Sequence, residues 1–541
     1  MLATTDTKPI SDIDLEIMWS RLISIADEAA IALKRTAFST IVRESNDYAV
    51  VLLDENAANL AENSSAVPSF VGVLPRTLSS LLKITPPEEW HPGDCVVTND
   101  PWLGTGHLPD LVVASPVYFK SKLIGFVASV AHLPDIGGTS LSATCHDVFE
   151  EGLRIPPMKL LDGGKANANL LDLIRANVRV ADQVIPDIFA QISAHSVAQK
   201  GLCNFLAATG LSDLSRVSGA LQAKSEAAMG RAIMELPDGE YRAVVKADGY
   251  GDRETEIHCC LRVDGANLSV DYSGTSPQVN FGINSVLNYT YSYTVYPLKC
   301  ALDPETPHNE GSYKTIKVHA PEGSILNPVF PAPCNARHLT GQLLAGAIFE
   351  CLAQAAPDRI LAESGSAPSL RAMFSGARAD GERFSQMLMC SGGMGASARG
   401  DGLSCMPFPT NTGAGSIEMF EGAAPLLIQR KELLASSGGQ GCFRGGLGQE
   451  IEIEAVGKRP IQVSLMVERT KYPARGLQGG GNGSPAKAAL GNGVSLDPKS
   501  RVELHPGETI TLSFAGGGGF GNPAERSQAL IASDKASGYT A

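Results

Sequence analysis

The sequence predicts a multidomain α+β protein, with mixed and antiparallel sheets, flanking helices and a glycine-rich, β-containing C-terminal part. Three observations predict it. Helical periodicity is confined to a few stretches, chiefly 12–35, 168–206 and 212–236. Elsewhere, short runs rich in Val, Ile and aromatic residues alternate with turn signals, as over 241–273. Glycine, at 56 of 541 residues, is well above average and crowds the last third, where it predicts many turns between short strands.

Taken in order, Ser11 and Asp14 form a capping pattern that opens a helix to Arg35, with Ile13, Ile17, Leu22, Ile25, Ala29 and Leu33 as its apolar stripe. Tyr48–Leu53 reads as a strand, Val71–Leu82 as a helix, and Cys95–Thr98 as a strand entered through a His91-Pro-Gly turn. A long helical pattern from Ala168 to Leu206 is interrupted at Pro186, which removes a backbone donor. Another helix follows to Leu236. The texture changes at Pro237-Asp-Gly-Glu240, and a boundary is placed there. The expected division is 1–236, an α+β domain; 237–390, a second α+β domain; 391–523, the glycine-rich part; and 524–541, a tail.

The chemistry concentrates in residues 104–138, where His-Leu-Pro-Asp occurs twice, as His107–Asp110 and His132–Asp135. Between the copies, Leu111–Tyr118 and Leu123–Ala131 read as two strands joined through Phe119–Lys122. Pairing Tyr118 with Leu123 and counting outward sets Pro109 opposite His132, so the two copies meet at one end of a hairpin. His107, Asp110, His132 and Asp135 then converge as neutral nitrogen and anionic oxygen donors, the set a divalent transition metal takes. A pair of Pro-Asp turns is the alternative, but it gives no reason for a His to begin both copies. Downstream, Asp147–Pro157 places Glu150 or Glu151 within reach of the site, Glu151 being the candidate acid. Cys334-Asn-Ala-Arg-His338 precedes a helix, where Asn335 and Arg337 are candidates for substrate binding.

The formal charge of −13 and the lack of any basic run argue against nucleic acid or an anionic membrane as partner. No leader pattern or long apolar run occurs, which places the chain in the cytoplasm. The eleven cysteines, odd in number and without a CxxC pair, predict reduced thiols. No Walker loop, dinucleotide fingerprint or G-x-S-x-G elbow appears, so any nucleotide is handled elsewhere.

In ordered blocks along nearly its whole length the chain resembles the hydantoinase B/oxoprolinase family, which includes the acetone carboxylase alpha subunit. The blocks are RESNDYAVVLLD, NDPWLGTGHLPD, AHLPDIGG, EEGLRIPPMKL, IRANVR, LPDGEY, DYSGTSPQV, APEGSILNP, GGMGA, SGGQGCFRGGLG and AGGGGFGNP. It departs from the family pattern at Phe70, where many members carry His, and at Cys334–His338, where Asn335 is the remnant of a Gly-Asn-x-Glu type run.

The resemblance implies a partner, the hydantoinase A-type ATPase subunit, which binds ATP and phosphorylates the substrate oxygen in a hetero-oligomer such as α2β2. It implies that His107, Asp110 and His132 hold zinc or manganese, and it moves Asp135 outward as the acid that orients water or accepts its proton. The expected function is the metal-bearing subunit of an ATP-dependent hydrolase of a small cyclic amide, a hydantoin, 5-oxoproline or lactam. A subunit of an ATP-dependent ketone carboxylase and a silent scaffold for the ATPase are the alternatives.

Overall fold

The fold is described from a computed structural model, which covers residues 10–70 and 72–540. The extreme N-terminus scanned above for a leader, and Val71 at the head of an expected helix, lie outside the described residues.

The N-terminal part comprises α1 (Asp12–Thr36), α2 (Thr40–Arg43), β1 (Tyr48–Asp54), β2 (Asn59–Glu62), α3 (Val73–Ile84), β3 (Cys95–Thr98), β4 (Asp110–Phe119), β5 (Lys122–His132), β6 (Met158–Asp162), β7 (Lys165–Ala166), α4 (Ala168–Asn177), α5 (Ala181–Thr209) and α6 (Ser215–Met234). Its strands make one antiparallel sheet in the order β2-β1-β5-β4-β3-β6-β7. Helices α1 and α5 cover one face of that sheet, and α3 with Phe70 and Trp90 covers the other. With both faces dry, β1 is buried at every position, which is why it reads as a continuous apolar run rather than an alternation.

Ser11 caps α1 as expected: its hydroxyl accepts from the Asp14 amide at 3.1 Å and donates to the Asp14 carboxylate at 2.7 Å. The buried stripe matches expectation at Leu22, Ile25, Ala29 and Leu33 and differs only in the first turns, where Ile13 and Ile17 are 74% and 63% exposed and the helix buries Leu15 and Trp19 instead. Two apolar stripes compete in the first turns, and the one carrying Trp19 removes more apolar area from water. Nor does Pro186 break a helix. It sits inside α5 near its start, and the break falls earlier, between α4 and α5.

The central part holds β8 (Gly239–Tyr250), β9 (Arg253–Asp264), β10 (Asn267–Asp271), α7 (Leu287–Leu302), β11 (Ile316–His319), α8 (His338–Gly341) and α9 (Leu344–Leu352). The sheet β11-β10-β9-β8 is mixed, β10 and β11 being parallel. The change of texture at 237 is a passage from helix to strand. One hydrophobic core continues across it, joining Met229 and Ile233 to Leu261, Val263 and Leu268.

The C-terminal part holds β12 (Arg371–Ala377), β13 (Arg383–Met389), α10 (Ile417–Ala423), β14 (Leu426–Leu433), β15 (Gln449–Ala455), β16 (Ile461–Met466), β17 (Lys487–Leu490), β18 (Arg501–Leu504), β19 (Thr509–Ser513) and α11 (Gln528–Ala536). Two antiparallel sheets, β13-β12-β16-β18 and β14-β15-β19-β17, share a core of Phe374, Leu465, Ile451 and Leu512. The residues expected as a tail include α11, pinned by Arg526 to Asp401 and Asp534 at 2.7 Å.

The glycine runs at 391–402, 436–448, 476–483 and 515–523 are not simply turns. Of all their glycines only Gly479 and Gly521 have positive φ. The rest lie in extended segments laid against one another, with Gly393 donating to Ala515, Gly439 to Gly517, Gly517 to Gly446 and Gly519 to Gly481. A Cβ on Gly517 would stand 2.1 Å from the Met394 carbonyl oxygen. Only hydrogen fits where backbones pass this closely.

All eleven cysteines are free. Among the described residues no helix is long and apolar enough to cross a membrane.

Candidate metal centre

The doubled motif folds as the expected hairpin, with one correction. Tyr118 pairs with Leu123 across a two-residue turn in which Lys120 and Ser121 both have positive φ, the geometry such turns need. A bulge at Val117/Tyr118 then shifts the register, so Val117 faces Gly125 and His132 arrives opposite Asp110 rather than Pro109. The Leu133 amide donates to the Pro109 carbonyl at 2.8 Å and locks the two copies together.

His107, Asp110 and His132 converge, with donor atoms all within 4.8 Å of one another. His107 and His132 are 1% exposed and Asp110 is 2% exposed. The two oxygens of Asp110 have separate duties. Oδ2 accepts from the Thr105 hydroxyl at 2.5 Å and from Arg337 Nη2 at 2.6 Å. Oδ1 lies 2.9 Å from His107 Nε2 and 2.9 Å from His132 Nδ1.

The protonation of this trio decides whether it fits a cation. His107 Nδ1 lies 2.9 Å from the Asn335 carbonyl, which can only accept, so Nδ1 carries the proton. Burial first, and then the Arg337 charge, drive the His107 imidazole down to about 3, so it is neutral. Its Nε2 lone pair therefore points at a carboxylate oxygen. Burial works against an ionised Asp110, but the Arg337 guanidinium and the hydrogen bond from His132 outweigh it and hold the carboxyl well below the usual range. Lone pair facing anion at this distance calls for a cation between them, and His132 Nε2 is likewise without a hydrogen-bond partner. The trio fits a divalent metal.

Asp47, which sequence reasoning missed, stands beside it. β1 pairs with β5 from Tyr48 and Ala131 onward, which brings Asp47 Oδ2 to 3.9 Å from His132 Nδ1, and the His132 amide donates to the Asp47 carbonyl at 3.0 Å. Burial pushes the Asp47 carboxyl above its usual range, and the Asp110 charge adds to that, against His132, Arg371 and Arg337. A second buried carboxyl thus stands beside the trio, although it is not one of the three residues whose donor atoms all lie within 4.8 Å of one another. The available signal was its place immediately before the strand in RESNDYAVVLLD.

The remaining candidates are placed around the trio. Asp135, expected as a base, is turned away from it: Oδ1 takes Arg179 Nη1 at 2.5 Å and the Gly137 amide at 3.3 Å, while Oδ2 takes the Arg179 amide. With both oxygens committed to a guanidinium and amides, it holds the loop. Glu151 is 0% exposed and acts at one remove. Its Oε1 accepts from the amides of Cys334 at 2.5 Å and Asn335 at 2.8 Å, and the Asn335 carbonyl orients His107. Asn335 Nδ2 donates to the Ser140 carbonyl at 2.8 Å, leaving Oδ1 unpartnered. Arg337 also donates from Nε to the Thr105 carbonyl at 2.5 Å and lies 4.2 Å over the Tyr289 ring. It passes Gly106, where φ is +99° and a Cβ would stand 2.7 Å from the arginine Cδ.

Burial pushes the Glu151 carboxyl up to about 8 from an ordinary value of 4.5, against the Cys334 and Asn335 amides. A carboxyl raised on folding stabilises most below its unfolded value, and that contribution is lost as pH rises through about 8. Glu151→Gln should therefore flatten the fall in unfolding free energy across that window by on the order of a few kcal/mol. Superimposable pH–stability curves for the two proteins would remove Glu151 as the source.

A family model described as hydantoinase B/oxoprolinase matches residues 11–523. The chain belongs to the hydantoinase B/oxoprolinase family. It is 31% identical over 562 residues to a protein from a Pseudomonas species named as the B-type subunit of a D-/L-hydantoinase, covering 99% of this chain and 94% of that one. Among solved structures, an ATP-dependent caprolactamase from Pseudomonas jessenii superposes with a TM-score of 0.92 at 25% identity, over 99% of this chain and 95% of that one. A nucleotide-free acetone carboxylase shares the fold, with a TM-score of 0.85 at 18% identity over 97% and 78% of the two chains. These likenesses agree with the α+β architecture and family read from the sequence.

Proposed function

We propose that this hydantoinase B-type chain is the metal-bearing subunit of an ATP-dependent cyclic amide hydrolase, acting on a hydantoin, 5-oxoproline or lactam. The observation that carries the reading is the division of Asp110: one oxygen is held by Thr105 and Arg337, and the other is faced by a lone pair of neutral His107. His107, Asp110 and His132, with Asp47 beside them, would hold zinc or manganese. A metal bound there would lower the pKa of water towards ~7 and polarise the substrate carbon.

The chain's own residues supply the rest. Asn335 keeps the His107 proton on Nδ1, and Glu151 keeps Asn335 in place. Arg337 and Thr105 hold Asp110 as a charged acceptor with one orientation. The depth of the site excludes bulk water, which matters if the incoming electrophile is an O-phosphorylated amide prone to unproductive hydrolysis. That activation requires ATP and an A-type ATPase partner, since this chain carries no phosphate-binding loop. The naming of its relatives as subunits supports such a hetero-oligomer, for which α2β2 in the cytoplasm is our working assembly.

The test is co-purification with the A-type ATPase, metal analysis, and assay with ATP in the presence and absence of labelled bicarbonate. Ring opening that needs ATP and incorporates no label is expected. Bicarbonate carbon retained in the product would replace this reading with the ketone carboxylase. Full activity of the A-type ATPase by itself would leave this chain a scaffold.

A further inference from the structure

Three of the loops that carry the residues of the site bring apolar side chains together at the surface. Phe149 is 67% exposed, Phe330 44% and Val329 42%, with Trp102 half-buried beside them. The Phe330 ring meets those of Trp102 and Phe149 edge-on, at centroid separations of 5.3 and 5.6 Å. Of the four exposed phenylalanines among the described residues, Phe38, Phe149, Phe189 and Phe330, only Phe149 and Phe330 touch each other. A pair serving the core looks different: Trp90 and Phe126 meet in the same edge-on way at 5.3 Å, and both are buried. Exposed rings in contact leave a contiguous apolar patch in water, the mark of a surface that another molecule covers.

The patch is held in one arrangement. The Trp102 indole donates to the Pro328 carbonyl at 2.9 Å, and the Val148 amide donates to the Pro331 carbonyl at 3.0 Å, which stitches the three loops together. Arg154 lies 4.9 Å over the Phe330 ring while its Nε donates to Asp100 at 3.0 Å. Aromatic rings beside a stacked arginine, ordered before anything binds, are the usual anchors of a protein interface. Each loop runs on into the site: Trp102 precedes His107 by five residues, Phe149 precedes Glu151 by two, and Phe330 precedes Asn335 by five. Whatever covers the patch therefore rests on the backbone that positions the metal centre.

Charge narrows the occupant. Asp147 accepts from the Phe149 and Glu150 amides at 2.9 and 3.1 Å, and Glu150 lies 3.5 Å from His146 Nδ1. Neither acid pairs with a lysine or arginine among the described residues, so this rim is negative and selects a basic one. A second copy of the chain, meeting the patch about a two-fold axis, would set acid against acid.

We propose that Trp102, Phe149, Val329 and Phe330 form the docking surface for the A-type ATPase, which meets it with an apolar projection ringed by lysine or arginine. The proposal rests on the hydrolase reading, in which the ATPase makes an activated amide and the metal centre consumes it. Such an electrophile escapes bulk water only if the two sites open towards each other, and this patch is where the loops of one of them reach the surface.

The test uses the full chain and the full-length ATPase, purified separately, with binding followed by calorimetry and ring opening assayed with ATP. Phe149→Glu and Phe330→Ser should each weaken binding roughly 30-fold or more, whereas Phe189→Ser, an isolated exposed ring, should stay within about twofold of wild type. Metal content and melting temperature should not change in any of the three, and ring opening by Phe149→Glu should recover as the ATPase concentration is raised. Glu150→Gln should flatten the salt dependence of binding. Wild-type affinity in both Phe149→Glu and Phe330→Ser, with the complex active, overturns the docking surface and leaves the hydrolase reading standing. Binding lost in both variants, with a wild-type complex that opens no ring, keeps the surface and overturns the hydrolase reading. A dimer of this chain alone that Phe149→Glu dissociates gives the patch to a second copy and overturns the proposal.

Discussion

The His132→Ala variant should purify folded and in complex with its partner but empty of metal, with turnover reduced by more than the roughly 10- to 100-fold that loss of an outer-shell partner costs. The reasoning is positional. His132 makes no hydrogen bond through Nε2, and its Nδ1 serves only the two carboxylates. Its removal therefore takes away a donor to the cation while leaving the hairpin ladder and the Leu133–Pro109 lock intact. Chelated wild type and His132→Ala should melt together, because both report the same empty pocket. His107→Ala should behave alike. Arg337→Ala should instead fall within the outer-shell range, since Thr105 still holds Asp110 Oδ2. Metal content by mass spectrometry and kcat with ATP decide the matter, and a His132→Ala protein with full metal and full turnover would refute the ligand assignment.

Gly480→Ala should cost far more than Gly481→Ala, although the two residues are neighbours in one glycine run. A Cβ on Gly480 would lie 2.2 Å from the Gly519 carbonyl oxygen, whereas one on Gly481 meets nothing nearer than the Gln440 amide at 3.4 Å. Gly480 lacks the remedy open to an overpacked core, where side chains shift at a cost of about 1–3 kcal/mol. The obstacle there is another extended backbone, itself hydrogen-bonded within the glycine layer, and only separation of the segments relieves it. Loss of soluble protein is expected for Gly480→Ala, and a melting temperature close to wild type for Gly481→Ala. Equal melting of the two variants would show that the glycine segments are not packed as described.

These two regions differ in how much the sequence disclosed. The hairpin was legible because its turn and its repeated motif are local, and counting from Tyr118–Leu123 nearly reaches the right register. The one-residue bulge was not, since nothing in the composition of Val117–Gly125 marks which residue is skipped. Asp47 escaped because its role depends on β1 lying next to β5, a pairing across 83 positions between Tyr48 and Ala131. Asp135 looked equivalent to Asp110 by motif, and only the approach of Arg179 distinguishes them. The glycine excess was visible, but composition alone does not separate a residue chosen for positive φ from one chosen because nothing larger fits.

The chain order of the metal centre bears on how the protein is made. Asp47, His107, Asp110 and His132 lie close together in the chain, whereas Asn335 and Arg337, which hold the His107 ring and the Asp110 carboxylate, are made some two hundred residues later. The core that supports the site is likewise shared across residue 237. A nascent chain therefore displays these side chains long before it can arrange them, and selective metallation, on the proposed reading, would await the synthesis of Asn335 and Arg337. Cells that express the chain truncated before Asn335 would present a loose chelator in place of a shaped site.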